Sequence, residues 1–382
     1  MGQSLTEIAQ TLHDTDKKVL LIYAFNGSGK TRLSREFKEL VSPKNHDNES
    51  EEHKMKVLYY NAFTEDLFYW DNDLDADSNR KLKIQPNSFT DWVLRNQGQE
   101  TNITKYFQHY TNDKLTPNFK NDYSEITFSI ETGDENAISD IKISKGEESC
   151  FIWCVFFSIL KQAIDVLTEH AEPEERETNL FDDLEYIFID DPVSSLDENH
   201  LIELAVNIAD LVNKGKKIGL KFILTTHNPL FYNVLYSELN LNSDNTEKKG
   251  YCCFLLKKMD DGFFELEGKQ GDSNKAFSYH IHIKNIIEDA IETGSVSKYH
   301  FMLLRNLYEK TACFLNYPKW TYLLPQDGRE NYYKRIMHFS SHSSLSNEEV
   351  AEPTGPEKET VRILLKHLVE NNYYKEEEDG TI

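Results

Sequence analysis

An apolar run, Lys18-Val-Leu-Leu-Ile-Tyr-Ala24, leads straight into Phe25-Asn-Gly-Ser-Gly-Lys-Thr31 and then into a helical pattern that reaches Val41. Strand, glycine-bearing turn, helix: this is the order of a phosphate-binding loop. Glycines let backbone N–H groups point inward at phosphate oxygens, and the start of the following helix adds positive potential. On this reading Phe25, Asn26, Gly27, Ser28, Gly29, Lys30, Thr31 and Arg32 bind the nucleotide. Lys30 reaches the β and γ phosphates, and Thr31 is a ligand for Mg²⁺. The first glycine of the pattern is replaced by Ala24, so an ordinary Gly-Ser turn competes as a reading of the loop taken alone.

Two further apolar runs, Tyr186–Asp190 and Leu220–Thr225, flank a helical stretch from Asn199 to Lys214. That rhythm belongs to a parallel sheet, whose chemistry gathers at the carboxyl ends of its strands. Asp190, at such an end, is placed to hold Mg²⁺, and Asp191 to orient or deprotonate an attacking water. Ile143-Ser-Lys-Gly-Glu-Glu148 opens an apolar helix expected over Ser144–Leu167, and His227 follows Thr225-Thr226. Singly, Ser144 reads as a helix cap and His227 as a surface histidine. In order along the chain, the set resembles the ATP-binding-cassette ATPases. The resemblance puts Walker A at Asn26–Thr31, the signature at Ser144–Glu147, Walker B up to Asp190-Asp191, the D-loop at Ser194–Asp197 and the switch at His227. It implies an α/β head with a mixed sheet, Mg²⁺ with a nucleoside triphosphate, and Ser144, Gly146, Glu147, Asp191 and His227 as nucleotide-site residues. It also implies at least a head-to-tail dimer, in which one signature closes on the γ-phosphate held by the other head. Lys145 stands where a small residue is usual, Asp191 where a Glu is usual, and no glutamine loop is evident. No heptads separate Walker A from the signature, so a long coiled-coil arm is not expected.

At 382 residues the chain has room for two or three domains, and the rhythm changes from strands to helices near 267/268. The expected division is a nucleotide-binding domain over 1–267 and a mainly α-helical domain over 268–382. Residues 43–56 read as an acidic surface loop, 81–143 as mixed strand and loop with Asp140–Ile143 as one strand, and Lys375–Asp379 as a frayed acidic end. A net charge of −23 excludes a chain that attracts phosphate polymers over its whole surface, so nucleic acid requires a local patch. Five cysteines without a C-x-x-C pair suit a reduced, cytoplasmic setting. The longest uncharged apolar run, Phe151–Leu160, is about half the ~20 residues of a membrane span, and no membrane partner is expected.

Between Asp272 and His342 nine basic residues face seven acidic ones, with five histidines and several tyrosines. This section alone suits single-stranded RNA, which needs positive charge and stacking surfaces; a less acidic helical lid fits the composition as well. Arg305 and Glu309 share a helix face, and His342 follows on a later loop or helix start. Arg, Glu and His together can cleave RNA without metal. An i,i+4 Arg–Glu pair is equally the form of a surface salt bridge.

Tyr23–Ser34, Tyr59–Trp70, Gly271–Lys275 and Leu304–Thr311 resemble the bacterial anticodon nucleases of the PrrC type, which cut lysine tRNA in its anticodon loop. The resemblance implies Arg305, Glu309 and His342 as the catalytic triad, with His338 as a rival for the last. It implies anticodon recognition by Asp272, Ser273, Asn274 and Lys275, running to about Lys284. It further implies latency on a type I restriction–modification complex, release as an antiphage defence, and control by GTP and dTTP at the heads. The competing reading is an ATPase of DNA repair or translocation with a non-catalytic C-terminal binding module; a toxin against another RNA is a third.

Overall fold

The computed structural model describes residues 2–43, 55–61, 67–72, 80–86, 90, 94–95, 98–131, 137–169, 176, 178–192, 198–241, 252–259, 261–269, 279–340 and 352–372. The chain divides into two compact units, Met1–Ala276 and Phe277–Ile382. The acidic loop of 43–56, apart from its ends, and the acidic tail lie outside the described residues.

Helix α1 (Leu5–His13) begins with a capping box in which Ser4 and Glu7 bond reciprocally. Strand β1 (Val19–Ala24), helix α2 (Lys30–Val41) and strand β2 (Val57–Tyr60) follow. Next come β3 (Phe68–Asp71), β4 (Lys81–Ile84), α3 (Glu100–Tyr110), β5 (Leu115–Phe119), β6 (Glu125–Glu131) and β7 (Ala137–Ile138). Helix α4 (Lys145–Glu169) leads to β8 (Tyr186–Asp190), α5 (Glu198–Gly215), β9 (Lys221–Thr226), α6 (Pro229–Glu238), β10 (Cys253–Lys258) and β11 (Phe264–Lys269).

The six-stranded sheet runs β11-β10-β1-β9-β8-β2, parallel throughout except for β11 at its edge. Every residue of β1 and β8 is buried, which is why their sequences are apolar without alternation. Leu5, Ile8, Ala9 and Leu12 of α1 and Leu33 and Phe37 of α2 close over Leu20, Ile22, Phe188 and Ile223 of the sheet. The first unit is thus an α/β P-loop head with a mixed sheet, as expected. Its β11 continues to Lys269, past the expected boundary at 267/268, because it pairs with β10 up to Cys253.

A second, antiparallel sheet, β3-β4-β6-β5 with β7 beside β6, is built from the chain between β2 and α4. Two expectations for this region need correction. Asp140–Ile143 is not a strand: Asp140 sits at φ 56°, in the left-handed region that interrupts pairing, and the edge strand is β7 instead. Strand and loop do not account for the whole of 81–143 either, since Ile103, Phe107 and Tyr110 bury one face of helix α3.

Helix α4 is long and apolar enough, by length and composition, to cross a membrane. Its apolar side chains are instead interior: Phe151 meets Phe68, Phe107 and Phe128, and Trp153 meets Tyr60 edge-on at 5.1 Å. Cys150 and Cys154 are buried on the same helix, whereas Cys313 is exposed.

The described part of the second unit is helical: α7 (Tyr279–Glu292), α8 (Lys298–Phe314), α9 (Arg329–Ser340) and α10 (Gly355–Asn372), with a short 3-10 turn at Trp320–Leu323. Leu304, Leu307, Ile336, Val361 and Leu364 form its core, and the buried Tyr308 hydroxyl donates to the Leu364 carbonyl at 2.9 Å. Helix α9 ends at Ser340, so Phe339 and Ser340 stand at a helix C-terminus and not in a loop or helix start, while Ser341 and His342 lie outside the described residues. Leu304→Ala in this fully buried position is expected to cost about 2–5 kcal/mol of the second unit's stability. Hydrogen exchange of the α8 and α10 amides measures it directly.

Candidate functional site

The loop between β1 and α2 is shaped by two glycines with positive φ, Gly27 at 79° and Gly29 at 92°. Ala24, where the pattern calls for glycine, is an ordinary strand residue, so no glycine is needed there. Ser28 folds back on Phe25, whose carbonyl accepts from both its amide at 3.2 Å and its hydroxyl at 2.6 Å. The buried Lys30 ammonium donates to the Ala24 and Phe25 carbonyls at 3.1 and 3.3 Å and to Asn26 Oδ1 at 3.4 Å. Phe25 packs edge-on against Tyr23, and Arg32 lies over the Phe264 ring. A Cβ at Gly29 would stand 3.0 Å from Phe264 Cε1 in a left-handed backbone. Gly29→Ala is therefore expected to cost about 1–2 kcal/mol of stability and to weaken nucleotide binding, checked by thermal denaturation and titration with a fluorescent nucleotide.

Two adjacent aspartates at the end of β8 face this loop and differ in their surroundings. Asp190 accepts from Thr31 Oγ1 at 2.7 Å and from Thr225 Oγ1 at 2.5 Å. Burial pushes its carboxyl above the ordinary range, and the two threonine hydroxyls only partly oppose this. Asp191 sits at φ 52°, bonds His227 Nδ1 at 2.5 Å and stands 3.5 Å from Lys30 Nζ. Burial raises this carboxyl too, but the His227 hydrogen bond and the Lys30 charge outweigh it, so Asp191 lies below its usual value. Burial thus holds Asp190 toward its neutral form, while His227 and Lys30 hold the neighbouring Asp191 toward its ionised form. Residues Thr31 and Asp190 offer hard oxygens 2.7 Å apart, which fits Mg²⁺ shared with nucleotide phosphates, an ion that takes only one or two protein ligands there.

At the start of α4, Ser144 and Glu147 bond to each other, amide to carboxylate at 2.7 Å and amide to hydroxyl at 3.2 Å. Ser144 is thus a helix cap in this chain, and Gly146 lies in the first turn. Lys145 pairs with Glu148, which also accepts from Trp70 Nε1. The loop, Asp190, Asp191 and His227 come together; Ser144, Gly146 and Glu147 stand on a different element and join no hydrogen bond with them among the described residues. The D-loop Ser194–Asp197 lies outside the described residues.

In the second unit Arg305 Nε donates to Glu309 Oε1 at 2.8 Å on α8, with side chains 32% and 40% exposed. His338 packs edge-on against Phe339 at the end of α9, and Lys284 pairs with Glu288 at 2.6 Å on α7. His342, Asp272, Ser273, Asn274 and Lys275 lie outside the described residues.

The chain is 55% identical over 397 residues to the anticodon nuclease of Escherichia coli, with 97% of each chain covered. It belongs to the anticodon nuclease family. No protein-family model matches it. Among solved structures, the SmcHead bound to the C-winged helix domain of ScpA covers 68% of this chain and 92% of its own at 11% identity, with a TM-score of 0.32. The SMC head domain from Thermotoga maritima covers 66% and 91% at 11% identity, with a TM-score of 0.29.

Several residues that shape the site in this anticodon nuclease family member escape sequence reasoning. Thr225 and Thr226, at the end of β9, brace Asp190 and Asp191, the second at 3.3 Å. Tyr23, inside β1, donates to the His227 carbonyl at 2.7 Å, and Asn228 caps α6. Asn61, directly after β2, is fully buried and donates to Ser34 Oγ at 2.7 Å. The only signal for these in the sequence is polarity at the end of an apolar run.

Proposed function

We propose that this chain is a nucleotide-regulated anticodon nuclease that cuts lysine tRNA beside the wobble base as an antiphage defence. The observation that carries the reading is the 55% identity to the Escherichia coli anticodon nuclease over 97% of both chains. The Arg305–Glu309 pair, half-exposed on one face of α8, is compatible with it. The nucleotide-binding domain is the first unit, Met1–Ala276, and the ribonuclease domain the second, Phe277–Ile382, acting in the cytoplasm.

Cleavage proceeds by transesterification. One of Glu309 and His342 takes the proton of the ribose 2′-hydroxyl, and the 2′-oxygen attacks the adjoining phosphorus. The other gives a proton to the departing 5′-oxygen, leaving a 2′,3′-cyclic phosphate and a 5′-hydroxyl. Arg305 stabilises the charge that builds on the phosphorane. Asp272, Ser273, Asn274, Lys275 and Lys284 read the anticodon. The step needs no metal.

At the head, Lys30 and the loop amides bind the phosphates of ATP or GTP, with dTTP as a regulator, and Asp191 with His227 orients water. Mg²⁺ held by Thr31 and Asp190 would neutralise phosphate charge there. Ser144, Gly146 and Glu147 of a second copy complete the site in a head-to-tail dimer. A type I restriction–modification complex keeps the enzyme latent until phage interference releases it. Differential nucleotide affinity between latent and active states supplies the switch.

Incubating the protein with total tRNA, with and without GTP and dTTP, and mapping new 5′-hydroxyl ends tests this. A single cut beside the wobble position of lysine tRNA, lost on His342→Ala, is the expected result. Intact tRNA in every condition, with nucleotide bound, would leave the ATPase with a non-catalytic C-terminal module.

A further inference from the structure

A cleft of about 780 Å³ opens within the second unit, with Glu309 on its wall. Its other polar and aromatic side chains are Tyr317, Lys319, Trp320, Arg329, Glu330 and Tyr333. Trp320 and Tyr333 lie with ring centres 5.7 Å apart at 38°. Trp320 is braced by Tyr308, whose ring meets it at 6.1 Å and whose hydroxyl is tied to the Leu364 carbonyl. The core thereby fixes the indole, while Tyr317 and Tyr333 stay 44% and 39% exposed. Arg329 donates through Nη2 to the Leu324 carbonyl at 3.3 Å, and its Nε is buried with no hydrogen-bond partner.

We infer that this cleft is a stacking subsite for an unpaired base of the RNA substrate, adjoining the phosphate to be cut. The inference rests on the proposed role of Arg305 and Glu309. An aromatic floor held rigid from below takes any base by its π-face, and cations on the rim attract the backbone. A small apolar ligand would satisfy the rings but make no use of the polar Lys319 and Arg329 beside them. A folded duplex has no base free to enter. An anticodon-loop nucleotide meets all three demands, and the position of Glu309 on the wall places the stacked base next to the reacting ribose.

The test uses the full chain and an anticodon stem-loop RNA in two forms: one cleavable, one with a 2′-O-methyl group at the cut site and 2-aminopurine in the loop. Stacking is expected to quench the 2-aminopurine. Tyr333→Ala and Trp320→Leu are expected to weaken binding of the blocked RNA by about tenfold and to raise KM similarly with little change in kcat. Trp320→Phe, which keeps a ring, restores most of the affinity. Cys313, exposed on the same cleft wall, reports occupancy in the unaltered protein: bound RNA slows its alkylation, followed by peptide mass spectrometry. If the wild type cleaves and the ring variants bind and cleave equally well, the subsite is overturned and the nuclease reading stands. Binding that depends on Trp320 and Tyr333 without any cleavage keeps the subsite and removes the nuclease reading. RNA that neither binds nor protects Cys313 overturns both.

Discussion

Glu309→Gln is expected to slow tRNA cleavage by about 10²- to 10⁴-fold, the usual contribution of a positioned general acid or base. Nucleotide binding at the head is expected to be unchanged. The amide keeps the size of the side chain and can still accept a hydrogen bond from Arg305 Nε, now at 2.8 Å from the carboxylate, so helix α8 should keep its geometry. What is lost is the capacity to carry a proton. Arg305→Ala is expected to cost about 10²- to 10³-fold, the effect of removing a cation aimed at developing charge. A double variant should be no worse than the more damaging single one, because both act in one step. Were the pair a surface salt bridge only, either change would alter stability by no more than about 1 kcal/mol and leave cleavage intact. Single-turnover cleavage of lysine tRNA, mapped at its 5′-hydroxyl end, separates the two outcomes.

Lys30→Ala is expected to weaken triphosphate binding on the order of 100-fold, since a charge-assisted hydrogen bond is worth about 1.5–3 kcal/mol. Three loop acceptors and Asp191 surround the ammonium, so the lysine is already directed along the loop that would wrap the phosphates. Its loss also removes the Lys30 charge that, with the His227 hydrogen bond, holds the Asp191 carboxyl low. The variant should therefore lose both binding and hydrolysis. If the head governs the nuclease, GTP and dTTP should no longer change the rate of tRNA cleavage by Lys30→Ala protein. Unaltered nucleotide control in that variant would separate the two activities. Nucleotide titration and cleavage assays on one preparation measure both.

Much of the head was legible because its signals are local. Strand β8 falls on the residues the sequence predicts, Tyr186–Asp190, since an apolar run needs no partner to be seen. Helix α3 and strand β7 were not, because a helix lying over a small antiparallel sheet carries only three deeply buried residues, and a two-residue edge strand carries no pattern. The loop of Asn26–Thr31 and the i,i+4 placement of Arg305 and Glu309 were readable for the same reason: each lies within a single turn or helix.

By itself, then, the sequence determined the strand, turn and helix of the phosphate loop, the adjacent aspartates and the shared face of Arg305 and Glu309. Tertiary structure alone decided which groups brace them. Asp190 meets Thr225 only because β8 and β9 are neighbours in register, Asp190 opposite Thr225. Tyr23 reaches the His227 carbonyl only because β1 lies beside β9, and Trp320 and Tyr333 form one aromatic floor only because α9 folds back against α8 and the turn after it. Such contacts join residues tens to hundreds of positions apart, and strand order and helix packing, which no local periodicity encodes, choose the partner.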